Sequence, residues 1–217
     1  MTKQILIVVI TIWLILGCSQ AKDPIYPDFI GQNLDAIENN TEWNILEKAT
    51  GDLNEDTIDD ITLILESKDS IFIKRCNACY LLKNKPRIIL MLLSNNENLR
   101  VSIQNNKFIA LGNEGGMASY IQPDLSIKNH LLTIYYQYTQ SNQSYTFAFK
   151  NNRMEIVRAE SHGVHAASGD YEGDIYDFEK GEIITTTGNI AQDNDKTEIL
   201  KFNIKAKSLS EFGKMYE

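Results

Sequence analysis

Beyond residue 40, short apolar runs alternate with clusters of Asn, Gly, Asp and Lys, the pattern of antiparallel strands joined by turns. Strands are expected at Ile61 to Leu65, Ser70 to Lys74, Arg87 to Leu93 and Leu99 to Ile103. A second set is expected at Leu131 to Tyr138, Tyr145 to Phe149, Met154 to Arg158, Ile183 to Thr187 and Ile199 to Ala206. Ile88 to Leu93 is apolar at every position, which suits a central strand buried on both faces, whereas Leu99, Val101 and Ile103 alternate as a half-buried strand does. Asn151-Asn152, between two such runs, suits a hairpin turn because Asn tolerates positive φ. Before this region, Phe29, Ile30, Leu34 and Ile37 recur at near-helical spacing and stop at Asn39-Asn40. The pattern predicts a mainly β fold of antiparallel sheets, as a meander, sandwich or propeller-like arrangement, with a short helix near its start. There is no clean internal repeat of blade length.

The N-terminus follows a different pattern. Lys3 precedes Ile5 to Leu16, a run apolar except for Thr11, which is too short to span a bilayer and reads as a signal peptide. Its ending, Ile15-Leu16-Gly17-Cys18, resembles the lipobox of bacterial lipoproteins. That resemblance implies cleavage before Cys18, lipidation of Cys18 and a membrane anchor in the cell envelope. Ser19 stands where an Asp would favour inner-membrane retention, so the outer membrane is expected if the cell has one. The divisions that follow are residues 1–17 as signal peptide, 18–28 as a tether containing Pro24 and Pro27, and 29–217 as a single β-rich domain.

Composition narrows the partners. The 217 residues are 43% hydrophobic and 23% charged, within the globular range. A net charge of −8 argues against nucleic acid, which selects basic surfaces, and favours divalent cations.

The most chemically specific stretch is Gly51-Asp52-Leu53-Asn54-Glu55-Asp56-Thr57-Ile58-Asp59-Asp60. Oxygen-bearing side chains fall at Asp52, Asn54, Asp56 and Asp60, and the Ile58 carbonyl offers a further ligand. Ca²⁺ takes 6–8 oxygens, and three crowded carboxylates repel one another without an ion between them. The segment resembles the calcium loop of FG-GAP and VCBS-type β repeats, which implies a bound Ca²⁺ held by Asp52, Asn54, Asp56, Ile58 and Asp60. Thr57 stands where those repeats usually have Gly, and a β-branched residue resists positive φ. Leu63 rather than Glu at the twelfth position excludes an EF-hand. Trp43 to Leu65, Arg87 to Leu90, Asn113 to Met117 and Tyr176 to Phe178 with Gly181 extend the likeness to small envelope lipoproteins with one such loop, a resemblance that implies no reaction.

Other groupings are less specific. Cys76 and Cys79 form a pair in an exported chain, and a turn at Asn77-Ala78 brings them within disulfide reach; structural disulfide, free thiols and a redox pair all stay open. His162 and His165, flanked by Glu160, Asp170, Glu172 and Asp174, read as a solvated loop or, with a turn at Gly163, a metal or acid–base site. Asn113-Glu114-Gly115-Gly116 reads as a tight reversal, and Tyr135, Tyr136 and Tyr138 as core aromatics more than a ligand groove. No nucleophile-elbow, zincin or phosphate-loop motif occurs. The expected role is a non-catalytic, lipid-anchored envelope protein with a structural Ca²⁺ and a protein partner. The alternatives are an envelope hydrolase using acids near 160–177 and an immunity or inhibitor protein.

Overall fold

The computed structural model describes residues 26–73, 80–95 and 98–213. Among the described residues the fold is mainly β, with antiparallel sheets, one short α-helix and no closed barrel. Helix α1 (Leu34–Glu38) comes first, followed by β1 (Trp43–Gly51), β2 (Asp60–Ser67), β3 (Ile71–Ile73), β4 (Leu82–Asn84), β5 (Arg87–Asn95) and β6 (Asn98–Asn105). The second half contains β7 (Pro123–Lys128), β8 (Leu131–Gln137), β9 (Ser141–Lys150), β10 (Arg153–Val164), β11 (Asp170–Asp177), β12 (Glu182–Asn189) and β13 (Gln192–Lys201). The first half makes a four-stranded sheet in the order β1-β2-β5-β6, with β3 and β4 as a separate hairpin. The second half is a seven-stranded meander in which each strand pairs with its sequence neighbour. Of the expected arrangements, the meander and the packed pair of sheets describe the molecule, and a ring of blades does not.

β2 and β5 are buried on both faces, as the unbroken apolar run in β5 predicts. On one face Ile64, Ile89 and Met91 meet Leu132, Ile134, Phe147, Met154 and Ile156 of the meander. On the other, Leu63, Leu65, Ile88 and Leu90 are covered by Phe29, Ile37 and Trp43. The helical spacing at the start has this purpose, but only one turn of it is helix. Asn33 caps α1 by accepting from Ala36 N–H at 3.0 Å, and Asn40 Oδ1 then accepts from the N–H groups of Glu42 and Trp43 and launches β1. Phe29, before the helix, is buried, whereas Ile30 points outward.

Asn151 and Asn152, at φ 53° and 59°, form the expected hairpin turn between β9 and β10, and Asn129-His130 repeats it between β7 and β8. Among the described residues four strands escape the sequence pattern, the short β4 and three longer ones. β1 reads WNILEKATG and carries a bulge after Ile45, β7 opens on Pro123, and β11 is acidic with Gly173 at its middle. The last expected strand is displaced: β13 runs Gln192–Lys201, so Phe202, Ile204 and Ala206 lie beyond it. The expected loop at His162 to Val164 is strand, because those residues pair in register with both β9 and β11.

The meander has two physical characters. β8, β9 and the start of β10 pack on the core, but β13 is exposed along its whole length and β11 and β12 bury no residue fully. The C-terminal segment returns to the core, where Leu209 and Phe212 are buried. Asn105 holds it there: its Nδ2 donates to the carbonyls of Leu209 and Phe212, both at 2.8 Å, while its Oδ1 accepts from Lys107 and Phe108 N–H. Both donors and both acceptor lone pairs of the Asn105 amide are engaged.

Candidate functional site

The acidic loop joins β1 to β2 and is fixed at its base. Leu53 inserts into the core, and its N–H donates to Asp60 Oδ2 at 2.9 Å. Asp60 Oδ1 accepts from Ser94 N–H on β5 at 2.8 Å, so one buried carboxylate ties the loop to β5. Burial holds the Asp60 carboxyl above its ordinary value; the two N–H donors oppose this, and the charges of Asp56 and Asp52 push it further up.

Above that base the chain winds around Asp52 and Asp56. Thr57, at φ 70°, takes the left-handed conformation despite its β-branch, and Glu55 does so at φ 64°. Thr57 N–H donates to Asp52 Oδ2 at 3.0 Å, Asp56 N–H to Asn54 Oδ1 at 3.1 Å, and Ile58 N–H to Asp56 Oδ1 at 2.8 Å. Asn54 Nδ2 donates to Asp56 Oδ2 at 3.0 Å. The second oxygen of Asp52, Oδ1, is buried without a hydrogen-bond partner. An orphaned carboxylate oxygen costs about 1–3 kcal/mol or more, and a cation or a water molecule satisfies it. The donors present therefore suit a hard divalent ion in chemistry: carboxylate, amide and carbonyl oxygens on one short loop. Among the described residues, however, no three His, Cys, Asp or Glu side chains converge into a metal-holding group.

His130, 78 residues away in sequence, also borders the loop. Its Nδ1 lies 3.0 Å from the Asp52 carbonyl oxygen and 3.6 Å from Asp52 Oδ2. The β7–β8 turn carries it there because β1 and β7 pack edge to edge, so closely that a Cβ on Gly51 would stand 2.7 Å from Ile127 Cγ2. No local pattern around His130 announces this contact.

The second polar cluster was equally hidden. Arg87, fully buried, donates from Nε and Nη2 to Glu66 Oε1 at 3.0 and 2.9 Å, and from Nη1 to the carbonyls of Ala110 and Ile121 at 2.7 and 2.9 Å. Tyr120 Oη donates to the same Glu66 oxygen at 2.8 Å, and its ring lies 5.0 Å from the guanidinium. Glu66 and Arg87 are direct cross-strand partners on β2 and β5. The arrangement clamps the 106–122 loop over the sheet and is structural in its chemistry, since the four hydrogen bonds of Arg87 all end on protein groups.

Of the acids near 160–177, Asp170 and Glu172 line one open pocket together with His165, whereas Glu160 lines a different groove. Glu160 pairs with Arg158, Asp174 accepts from Thr185 Oγ1 at 2.6 Å, and Asp170 accepts from Asn189 Nδ2 at 2.7 Å. Hydrogen bonds from Ser168 and Asn189 hold the Asp170 carboxyl below its ordinary value. His162 stacks at 5.7 Å on Tyr171, while His165 Nδ1 lies 3.0 Å from Ser168 Oγ. Tyr136 is a core residue, its hydroxyl accepting from Ala110 N–H at 3.2 Å, and burial raises its pKa.

Cys18, Cys76 and Cys79 lie outside the described residues, as do the signal peptide and most of the tether. Among the described residues no helix is long and apolar enough to cross a membrane. No protein-family model, no curated protein and no solved structure matches this chain.

Proposed function

We propose that this is a lipid-anchored envelope protein, non-catalytic, whose β domain is stapled by Ca²⁺ in the 52–60 loop and serves in binding a partner. Cys18 carries the anchor, and Asp52, Asn54, Asp56, the Ile58 carbonyl and Asp60 hold the ion. The observation that carries the metal reading is the buried, partnerless Asp52 Oδ1 inside a loop already wound through a left-handed Thr57. When bound, the ion supplies counter-charge to the three acids. The protein's own part is to hold Asp60 by two N–H donors and to plug Leu53 into the core, which fixes the base of the loop.

At a Kd of about 10⁻⁴–10⁻³ M and millimolar Ca²⁺, ligation adds roughly 0.5–1.5 kcal/mol. For a domain of this size that is a rise in Tm of about 1–6 °C. Melting the protein in ~1 mM Ca²⁺ and in excess chelator measures it. Asp56→Ala is expected to remove the difference while leaving the chelator curve nearly unchanged. Identical curves in Ca²⁺ and chelator would reject the staple.

A further inference from the structure

The four-stranded sheet and the meander have two edges each, and main chain covers three of the four. β1 lies against β7, which closes one edge of each sheet. The edge of β6 is bonded to the segment before α1: Gly31 N–H donates to the Val101 carbonyl at 2.8 Å, Val101 N–H donates to the Gln32 carbonyl at 2.9 Å, and Asn33 bridges Arg100. β13 is the fourth edge. Among the described residues β12 is its one strand neighbour, and every residue of β13 is exposed. An open strand presents a row of unmet N–H and C=O groups, a template for another strand.

The register on β12 says which residues carry those groups. Phe202 N–H donates to the Gly181 carbonyl at 2.9 Å, and β13 keeps that register from Lys201 opposite Glu182 to Lys196 opposite Thr187. Antiparallel bonds alternate, so Glu198 and Leu200 bond to β12 while Thr197, Ile199 and Lys201 turn their main-chain groups outward. Lysine on an edge usually discourages pairing. Here Lys196 shares a face with Glu198, with Thr197 between them. Among the described residues neither of these two side chains has a hydrogen-bond or ion-pair partner, whereas Lys201 is held by Glu182 and Asp195 by Tyr171.

A two-fold axis through Thr197 sets Lys196 against Glu198 of a second copy, and symmetry repeats the pair. It falls at the closer antiparallel spacing, about 4.5 Å between Cα atoms. An axis moved by one residue sets Lys196 against Lys196 or Glu198 against Glu198, and an axis at Asp195 sets two carboxylates together. Charge therefore selects both a like partner and a register. Ile199 and Leu200, 59% and 60% exposed, come to lie beside the second strand.

We propose that β13 pairs antiparallel with β13 of a second copy about an axis at Thr197, so that one sheet runs through both protomers. The contact is confined to one strand from each side, and the dimer is accordingly weak. It is independent of the calcium loop, which lies between β1 and β2.

Sedimentation of the full chain in density-matched detergent, from about 10 μM to about 0.5 mM, is expected to show a monomer–dimer equilibrium. Lys196→Glu or Glu198→Lys alone turns both attractive pairs into repulsive ones and is expected to weaken the dimer about five- to thirtyfold. The double swap, Lys196→Glu with Glu198→Lys, is expected to restore it, and so is an equimolar mixture of the two single variants, whose strands complement each other. Both positions are exposed, so an unaltered circular dichroism spectrum is expected throughout. A chain that stays monomeric over the whole range overturns the proposal and leaves the edge to a strand of a different protein. Association that is alike in the parent and the single variants, as contact through the apolar run from Ile5 to Leu16 would give, also overturns it. So does a double swap that fails to restore the dimer.

Discussion

Thr57 shows how a single residue sets the quality of a site. The left-handed region costs a Cβ-bearing residue roughly 1–2 kcal/mol, while Gly gives back about 0.5–1 kcal/mol through its looser unfolded chain. Thr57→Gly is therefore expected to stabilise the protein by about 0.5–1 kcal/mol and to tighten Ca²⁺ binding, read by urea unfolding and by calcium titration. A destabilised variant would mean that Thr57 makes a compensating contact. Glu211 offers a different test. Its carboxyl is held below the ordinary value first by the Ser208 N–H and then, against a desolvation penalty, by Arg153. A depressed folded pKa contributes stability that is complete above the unfolded value of about 4.3 and is lost as pH falls through the folded one. Glu211→Gln is thus expected to lower Tm at pH 7 and to converge on the parent protein as pH falls through the folded-state value. A constant gap across that range would show that the ion pair contributes nothing through titration.

Among the elements, β2 and β5 are the frame on which the rest depends, and they are joined at one end by Glu66 and Arg87. The pair is taken out of water, so its net worth against an apolar substitute is small, yet removing one partner strands a buried charge at a cost of about 3–5 kcal/mol. Arg87→Ala is expected to lose that much in chemical denaturation and to release the 106–122 loop, whose Ala110 and Ile121 carbonyls it holds. Gly112 belongs to the same assembly, since a Cβ there would stand 2.5 Å from the Tyr120 ring. A loss below ~1 kcal/mol would show that water replaces the guanidinium. The strand pattern was readable wherever burial was uniform, as in β5, or strictly alternating, as in β8. It failed at β11 and at the first part of β13, where the strands are solvated on both faces and the period-two signal of a buried face does not arise.

At the scale of the whole molecule, the proposed anchor at Cys18 predicts that the protein incorporates labelled palmitate and fractionates with membranes, and that Cys18→Ala abolishes both. Unlabelled parent protein in the soluble fraction would remove the anchor from the proposal. Sequence alone determined the mainly β antiparallel character, the Asn-Asn hairpin between β9 and β10, the doubly buried β5 and the oxygen-rich run from Asp52 to Asp60. Each of these is local, because turn chemistry, alternation and charge density are properties of neighbouring residues. Tertiary structure alone decided that His130 borders Asp52, that Ser94 helps to hold Asp60, that Arg87 reaches the 106–122 loop and that Asn105 holds the C-terminal segment. Those contacts depend on which sheet edges meet and where the C-terminal segment returns, and chain order carries no local mark of either.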